Sequence, residues 1–238
     1  MKLITWNCNM AFRKKAKHIF KFNPDILVLQ ECERSYKIPS ELFGNKPTSP
    51  AIWYGDNKNK GIGIFTFNGY KAKVIEPPKK NDKWFIPIKI IGPEKFKLIA
   101  VWAMNYRANE VVKGVRPAFA SIKGLHKYLD SGVIMAGDFN DNVCWNYKKR
   151  GKGDFTDKQL YLQSLGIQSA YHIHNAKPHG NEPHPTIVWM KNMKTTYHID
   201  YVFCGEKWQG RIKAVSIEKP GKWLKYSDHV PVMVEFGG

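Results

Sequence analysis

The chain is short of acidic residues: against 38 Lys and Arg it carries 20 Asp and Glu, leaving a formal charge of +18. Several of those scarce carboxylates fall at strand ends where chemistry would use them, so the remaining surface must be strongly positive. Such a field attracts polyanions by releasing their condensed counterions, which favours nucleic acid over a small neutral substrate. Cysteine is scarce too. Cys8, Cys32, Cys144 and Cys204 are dispersed without a Cys-x-x-Cys pair, so neither a zinc knuckle nor a disulfide framework is indicated and reduced buried thiols are expected. No stretch approaches membrane-spanning length, and Lys2-Leu3-Ile4 enters a strand at once without a signal-type apolar region. A cytoplasmic protein with no membrane partner is the expectation.

What is present suffices for a core, with 43% hydrophobic residues in 238. Phe12, Ala16, Ile19 and Phe20 recur at helical spacing and predict a helix over 12–22, stopped by Pro24. Asp25 to Leu29 reads as a continuous apolar strand that projects Glu31 beyond its end. Further strands are predicted over 62–67, 70–76, 84–91 and 96–104, with Pro87 suited to an edge strand or a bulge. A long helix follows over 110–130, with Asn109 as N-cap and Gly114, Pro117 and Gly124 weakening its continuity. A strand 133–136 ends at Asp138, and Thr156-Asp157-Lys158-Gln159 opens a short helix closed by Gly166. Strands near 186–191, 197–204, 211–218 and 230–236 complete the chain. Many strands and few helices favour two packed sheets with helices outside.

Five short segments carry the chemistry, each an apolar run ending in a polar residue. They are Ile4-Thr5-Trp6-Asn7, Leu29-Gln30-Glu31, Gly137-Asp138-Phe139-Asn140, His198-Ile199-Asp200-Tyr201 and Ser227-Asp228-His229-Val230-Pro231. Alone each is a common string, but the ordered set resembles the endonuclease/exonuclease/phosphatase superfamily, from Asn7 to Pro231. The resemblance implies an α+β fold, a four-layer α/β/β/α sandwich of two packed, mainly antiparallel mixed sheets. It also implies one domain over 1–238, since Asn7 and His229 must share a site.

By the same resemblance Glu31 is the principal ligand of a Mg2+ ion, with Mn2+ as a substitute, and Asn7 and Asp228 complete or buttress that metal site. Oxygen ligands of this type suit a hard divalent cation. Asp138 corresponds to the carboxylate that activates or orients water. Asn140, two residues on along an extended chain, would position it or bind phosphate. His229 would contact the scissile phosphate, with Asp200 fixing its tautomer and favouring imidazolium. Glu33 is outer shell at most, and Asp141 reads as a helix cap or solvated residue. Trp102 falls where abasic endonucleases carry a tyrosine and deoxyribonuclease a histidine. An indole N–H donates a hydrogen bond but shuttles no proton, which leaves leaving-group protonation to metal-bound water or Tyr106, with Asn105 helping to hold the site.

Around these motifs lie candidate substrate contacts. Trp145, Tyr147, Lys148, Lys149 and Arg150 form one aromatic and basic loop, and Lys219 to Tyr226, with Trp223, forms another; both could neutralise phosphates and stack on bases, or turn their aromatics inward. Trp189 reads as a stacking residue or as buried core. His172, His174, His179, His184 and His198 invite a zinc site, but the intervening prolines favour a loop flanking the active site that supplies phosphate or base contacts. The expected activity is Mg2+-dependent hydrolysis of DNA by in-line attack of water, as an abasic-site endonuclease or 3′-exonuclease. The expected partner is nucleic acid, double-stranded DNA in particular, met by a monomer. The alternatives are a phosphatase or phosphodiesterase acting on a non-nucleic phosphoester, and a catalytically silent nucleic-acid-binding protein.

Overall fold

The structure, a computed structural model, describes residues 1–35, 47–78, 85–104, 116–148 and 152–238, with Tyr147 and Lys148 described in backbone only. Its strands in chain order are β1 (Lys2–Asn7), β2 (Ile26–Cys32), β3 (Ile52–Asn57), β4 (Lys60–Thr66) and β5 (Lys71–Val74). They continue with β6 (Phe85–Ile91), β7 (Phe96–Trp102), β8 (Val133–Asp138), β9 (Gln168–Ser169) and β10 (Ile187–Val188). The last are β11 (Thr196–Tyr197), β12 (Asp200–Cys204), β13 (Ile212–Ile217) and β14 (Val232–Phe236). One sheet has the order β13-β14-β1-β2-β4-β3, the second β5-β6-β7-β8-β12-β9, and β10 pairs with β11 in a small ribbon. Each six-stranded sheet holds one parallel pair, β1 with β2 and β7 with β8, among antiparallel neighbours.

Strand alternation explains the layering. In β1 and β2, Leu3, Ile26 and Val28 pack toward the second sheet, while Ile4, Trp6, Leu27 and Leu29 face outward onto Phe12, Ala16, Ile19 and Trp223. Ala118, Ile122, Phe155 and Leu162 from the helices Pro117–Gly124 and Phe155–Gln163 join the core of the second sheet. The result is the α+β sandwich of two mixed sheets that the sequence predicts. Thr5 and Asn7 share the inward parity of Leu3, so β1 delivers a polar end between the sheets. Thr5 is satisfied there by the Gln30 side-chain amide at 3.0 Å.

Several elements differ from expectation for local reasons. The predicted helix 12–22 divides into a 3-10 turn, Phe12–Lys14, and a helix, Ala16–Phe20, because Lys15 leaves helical geometry and sends its ammonium to the carbonyls of Cys8 and Asn9. Pro117 begins its helix rather than interrupting one, as the first turn tolerates a missing N–H. Asn109 and residues 110–115 of the predicted helix, like Trp84, lie outside the described residues. The helix Phe155–Gln163 is capped by Asp154, which accepts the N–H of Asp157, and not at Thr156. Pro87 lies in β6, which is not the edge; the Ile75 N–H still donates to the Pro87 carbonyl at 2.9 Å, but the proline has no N–H to return that bond, and β5 ends at Val74. The strand expected over 186–191 shortens to β10, and that over 197–204 breaks into β11 and β12. The cause of the second break is Thr186, whose hydroxyl takes the N–H groups of Ile199 and Asp200. Cys144 is exposed, unlike the other three thiols. Among the described residues no helix is long and apolar enough to cross a membrane.

Candidate active site

Trp102, Asp138 and Asp200 end three neighbouring strands in direct register, so all three side chains emerge on one face of the second sheet. Gly137, one residue before Asp138, is fixed by close approach: a Cβ there would lie 1.8 Å from the Val101 carbonyl oxygen. Asn7 ends β1 on the opposing sheet and closes the gap, its side-chain amide donating to Asp138 Oδ2 at 3.0 Å and to Glu31 Oε1 at 3.4 Å. The two sheets thus meet at their polar ends.

Glu31 reaches this place through a local irregularity. Strict alternation along β2 would send it outward with Leu27 and Leu29. A register shift between Leu29 and Cys32 and a left-handed backbone at Glu31 (φ 53°) turn it into the cleft instead. The same bulge ends the parity on which Glu33 was expected to flank the site. Glu33 is buried and accepts the N–H groups of Phe12 and Arg13 and the Arg13 guanidinium, so its role is to hold the turn after β1.

Asp138 is fully buried and takes three hydrogen bonds from two asparagines: the Asn7 side chain at 3.0 Å, the Asn140 N–H at 2.8 Å and the Asn140 side chain at 3.1 Å. Asn140 acts from a left-handed conformation (φ 47°), not from the extended chain expected, and that turn is what folds its side chain back. Burial, then the facing Asp200 carboxylate, pushes the Asp138 carboxyl up to about 7, against the pull of His229 and Asn7. His229 Nδ1 lies 2.8 Å from Asp200 Oδ2. Burial alone would lower the imidazole, but Asp200 outweighs it, and with Asp138 and Asp228 the ring is raised to about 10. Ser227 fixes the last segment by donating to the Asn7 carbonyl at 2.8 Å and accepting the His229 N–H at 3.0 Å.

Asn7, Glu31, Asp138, Asn140 and His229 line a cleft of about 280 Å3 together with Lys60, Trp102, Met104, Ile187 and Trp189, and Asp200 stands behind them, fully buried. Asp228 stands on the cleft wall, near the Asn9 amide at 3.5 Å. Lys60 went unnoticed in the sequence. It sits at the start of β4, 3.1 Å from Glu31 and 5.7 Å from the centre of the Trp102 ring. Its only sequence signal is proximity to Gly61-Ile62-Gly63, which let the strand pack closely beneath Trp53. Thr186, the residue that ties β12, was also read only as part of a strand.

The substrate-contact candidates separate. Trp189 is exposed on the cleft wall, and Trp145 packs against Tyr197 of β11 at 4.7 Å between ring centres. Trp223 is core, packed on Trp6 at 5.0 Å, and Tyr226 stacks on His18 at 4.3 Å. Asn105, Tyr106, Lys149 and Arg150 lie outside the described residues, and Lys148 is placed only as the end of the 3-10 turn Val143–Lys148. Asp141 is neither cap nor solvated: it is buried and ion-paired with Lys158. His172, His179 and His198 do not line the cleft but gather on the opposite face of β12, against Tyr201 and Phe203.

Carboxylates of Glu31, Asp138, Asp200 and Asp228 converge here against the cations Lys60 and His229. That excess of negative charge and the oxygen donors around it fit a hard divalent cation. Ligand atoms of Asp138, Asp200 and His229 lie within 4.8 Å of one another, but the Nδ1 of His229 is already engaged by Asp200. Glu31, with Asn7 and Asp228, is therefore the set better placed to hold an ion.

No family model and no curated protein sequence matches the chain. Solved structures do match over its whole length. An AP endonuclease from Archaeoglobus fulgidus aligns with a TM-score of 0.69 at 19% identity, covering 99% of each chain. The 3′-5′ exonuclease NExo from Neisseria meningitidis gives 0.66 at 19%, covering 100% of each. TDP2 from D. rerio, complexed with single-strand DNA product, gives 0.64 at 15%, covering 100% of this chain and 99% of that one. The chain has the endonuclease/exonuclease/phosphatase fold.

Proposed function

We propose that this chain is a member of the endonuclease/exonuclease/phosphatase superfamily and a Mg2+-dependent phosphodiester hydrolase acting on DNA, as an abasic-site endonuclease or 3′-exonuclease. One observation carries the reading: residues from both sheets, Asn7 and Glu31 from one and Asp138 from the other, meet with Asp228 and His229 around a single cleft, with Asp200 holding His229 from behind. Neighbours of the same fold include an AP endonuclease, a 3′-5′ exonuclease and a 3′ phosphatase from Neisseria bound to product DNA hairpin. The charge of +18 supports a polyanionic substrate over a small phosphoester.

Glu31, Asn7 and Asp228 would hold Mg2+, with Mn2+ as a substitute, and a bound ion would supply Lewis-acid polarisation of the phosphoryl group. Asp138, its proton affinity raised and its oxygens held by Asn7 and Asn140, orients water for attack and accepts its proton. His229 stays charged through Asp200 and presents its other ring nitrogen as a donor to the phosphate, where negative charge develops. Lys60 adds a second cation at the same wall. In-line displacement breaks the bond from phosphorus to the 3′ oxygen, which takes a proton from solvent water, leaving a 3′-hydroxyl and a 5′-phosphate. Trp189 is placed to stack on a base or sugar at the rim.

The test is an end-labelled duplex with one abasic site, incubated in Mg2+ and in chelator beside an undamaged duplex and Asp138→Asn protein. Incision at the lesion alone marks an abasic endonuclease, and stepwise shortening from the 3′ end marks an exonuclease. Absence of metal-dependent cleavage above the variant would sink the assignment.

A further inference from the structure

A second group of metal-competent side chains lies on the face of β12 that points away from Asp200. His172 from the helix Ala170–Asn175, and His179 and Glu182 from the loop that follows, bring ligand atoms within 4.8 Å of one another. The rings of His172 and His179 stack with centres 3.4 Å apart, and His198 lies 5.9 Å from His172. Contacts behind this group orient it. Ser169 Oγ lies 2.8 Å from His172 Nδ1, and Glu182 accepts the Gly180 N–H at 3.0 Å and the Asn142 amide at 3.4 Å. His198 donates from Nδ1 to the His184 carbonyl at 2.9 Å, which leaves its Nε2 with a lone pair.

A hydrogen bond between His172 and Glu182 accounts for their 3.0 Å contact, while His179 Nδ1 stands 3.9 Å from the same carboxylate oxygen, too far for another. Nε2 of His198, on a side chain 2% exposed, and Nδ1 of His179 are buried without a hydrogen-bond partner among the described residues. Buried polar atoms left in this way are costly and rare, and two of them beside a third imidazole and a carboxylate call for a cation that neutral imidazole nitrogens bind. Mg2+ and Ca2+ ask for oxygen ligands, whereas a set of imidazoles with one carboxylate suits zinc.

We propose that His172, His179 and Glu182 form a Zn2+ site separate from the catalytic cleft, with His198 packed beside it and the fourth position left to water. A solvent-open pocket of about 260 Å3 lined by His172 and His179 provides the entry path. The ion ties the Ala170–Asn175 helix to the loop that follows it. That loop runs directly into Thr186, whose hydroxyl holds the N–H of Asp200 at 3.0 Å, so the site braces the carboxylate partner of His229 from behind.

The experiment is zinc reconstitution of the full chain followed by desalting, with metal content read by mass spectrometry and melting followed in excess Mg2+ with and without zinc. Wild type should retain about one zinc per chain, held by three protein ligands with one open position, and its Tm should rise with zinc, since an ion that binds only the folded state stabilises it. Asp138→Asn should retain the zinc equally, which locates it outside the cleft. His179→Gln and Glu182→Gln, with folding checked by circular dichroism, should weaken zinc binding by at least about 10-fold. Wild-type protein that stays zinc-free after reconstitution, with a Tm unmoved by zinc, overturns the proposal. So does zinc that persists in both site variants or disappears in Asp138→Asn, and wild type with Asp138→Asn decide the matter even if a site variant fails to fold.

Discussion

The Nδ1 of His229 lies 2.8 Å from Oδ2 of Asp200; Asp200 opens β12 of the second sheet, and His229 lies in the segment that leads into β14 of the first. The imidazole is raised from 6.5 to about 10 despite its burial. Because the folded state holds this proton more tightly than the unfolded chain, the pair's contribution to stability is complete below about pH 6.5 and is lost as pH rises through about 10. Asp200→Asn removes the charge that raises the ring and leaves burial, which lowers it. The alkaline limb of the rate profile should therefore move to lower pH, and the alkaline loss of Tm in chelator should flatten. An alkaline limb unchanged by the substitution would remove His229 as the working cation.

Asp138 and Asn140 should differ in the kind of defect they give. Replacing a positioned base typically forfeits about 10²- to 10⁴-fold in rate, so Asp138→Asn should fall in or beyond that range in kcat. Asn140→Ala leaves the carboxylate but removes the side-chain bond at 3.1 Å that orients it. A loss of about 10²-fold is expected there, the scale of a misplaced group, with KM little changed. The acid limb should stay in place, since the backbone N–H of residue 140, which the variant keeps, is what helps hold the Asp138 charge.

How far the sequence revealed this site depends on which physical rule placed each residue. Asn7, Asp138 and Asp200 follow strand parity and were legible because β1, β8 and β12 alternate without interruption. Glu31 was found by its motif while parity alone would have pointed it outward; its bulge has no signature in the letters Leu-Gln-Glu-Cys. The left-handed turn at Asn140 was hidden in the same way, and it gave the expected partner for a different reason. Lys60 and Thr186 escaped because their roles arise from contacts across long stretches of chain. The histidines were expected to flank the cleft, but the alternation of β12 puts His172, His179 and His198 against Tyr201 and Phe203, on the face away from Asp200.

Lys60 neutralises Glu31 at 3.1 Å while facing Trp102. A cation bound by Glu31 competes with that ammonium, so Lys60→Met should tighten Mg2+ binding while raising KM for DNA. Calorimetric titration of Mg2+ and steady-state kinetics at saturating metal separate the two effects. Weaker Mg2+ binding in the variant would show that Lys60 organises the carboxylate instead of opposing the ion.

The excess of basic residues should make DNA affinity fall steeply with salt. Each phosphate neutralised contributes a slope of about −0.9 in log K against log salt for duplex DNA. Anisotropy of a labelled duplex with Asp138→Asn protein in chelator measures binding without turnover. A flat salt dependence would mean that the net charge of +18 is not directed at the substrate.

Asp141 and Lys158 form a buried ion pair one turn beyond the catalytic strand end, with side chains 0% and 3% exposed. Burial alone lowers the Lys158 ammonium, and Asp141 opposes that. Removing one partner strands the other charge in the interior, at a cost of roughly 3–5 kcal/mol. Asp141→Ala and Lys158→Met should each destabilise by that order in urea unfolding. Replacing both with apolar residues removes the stranded charge, so the double variant should recover most of the loss. Because Asn142 next to Asp141 holds the His198 carbonyl at 2.8 Å, the single Asp141 variant should also loosen the chain leading into Asp200. Hydrogen exchange at Ile199 and Asp200 should rise in Asp141→Ala and return toward wild type in the double variant, whereas equal loss in both would mean that hydrogen bonding by Asp141, and not charge balance, sets stability there.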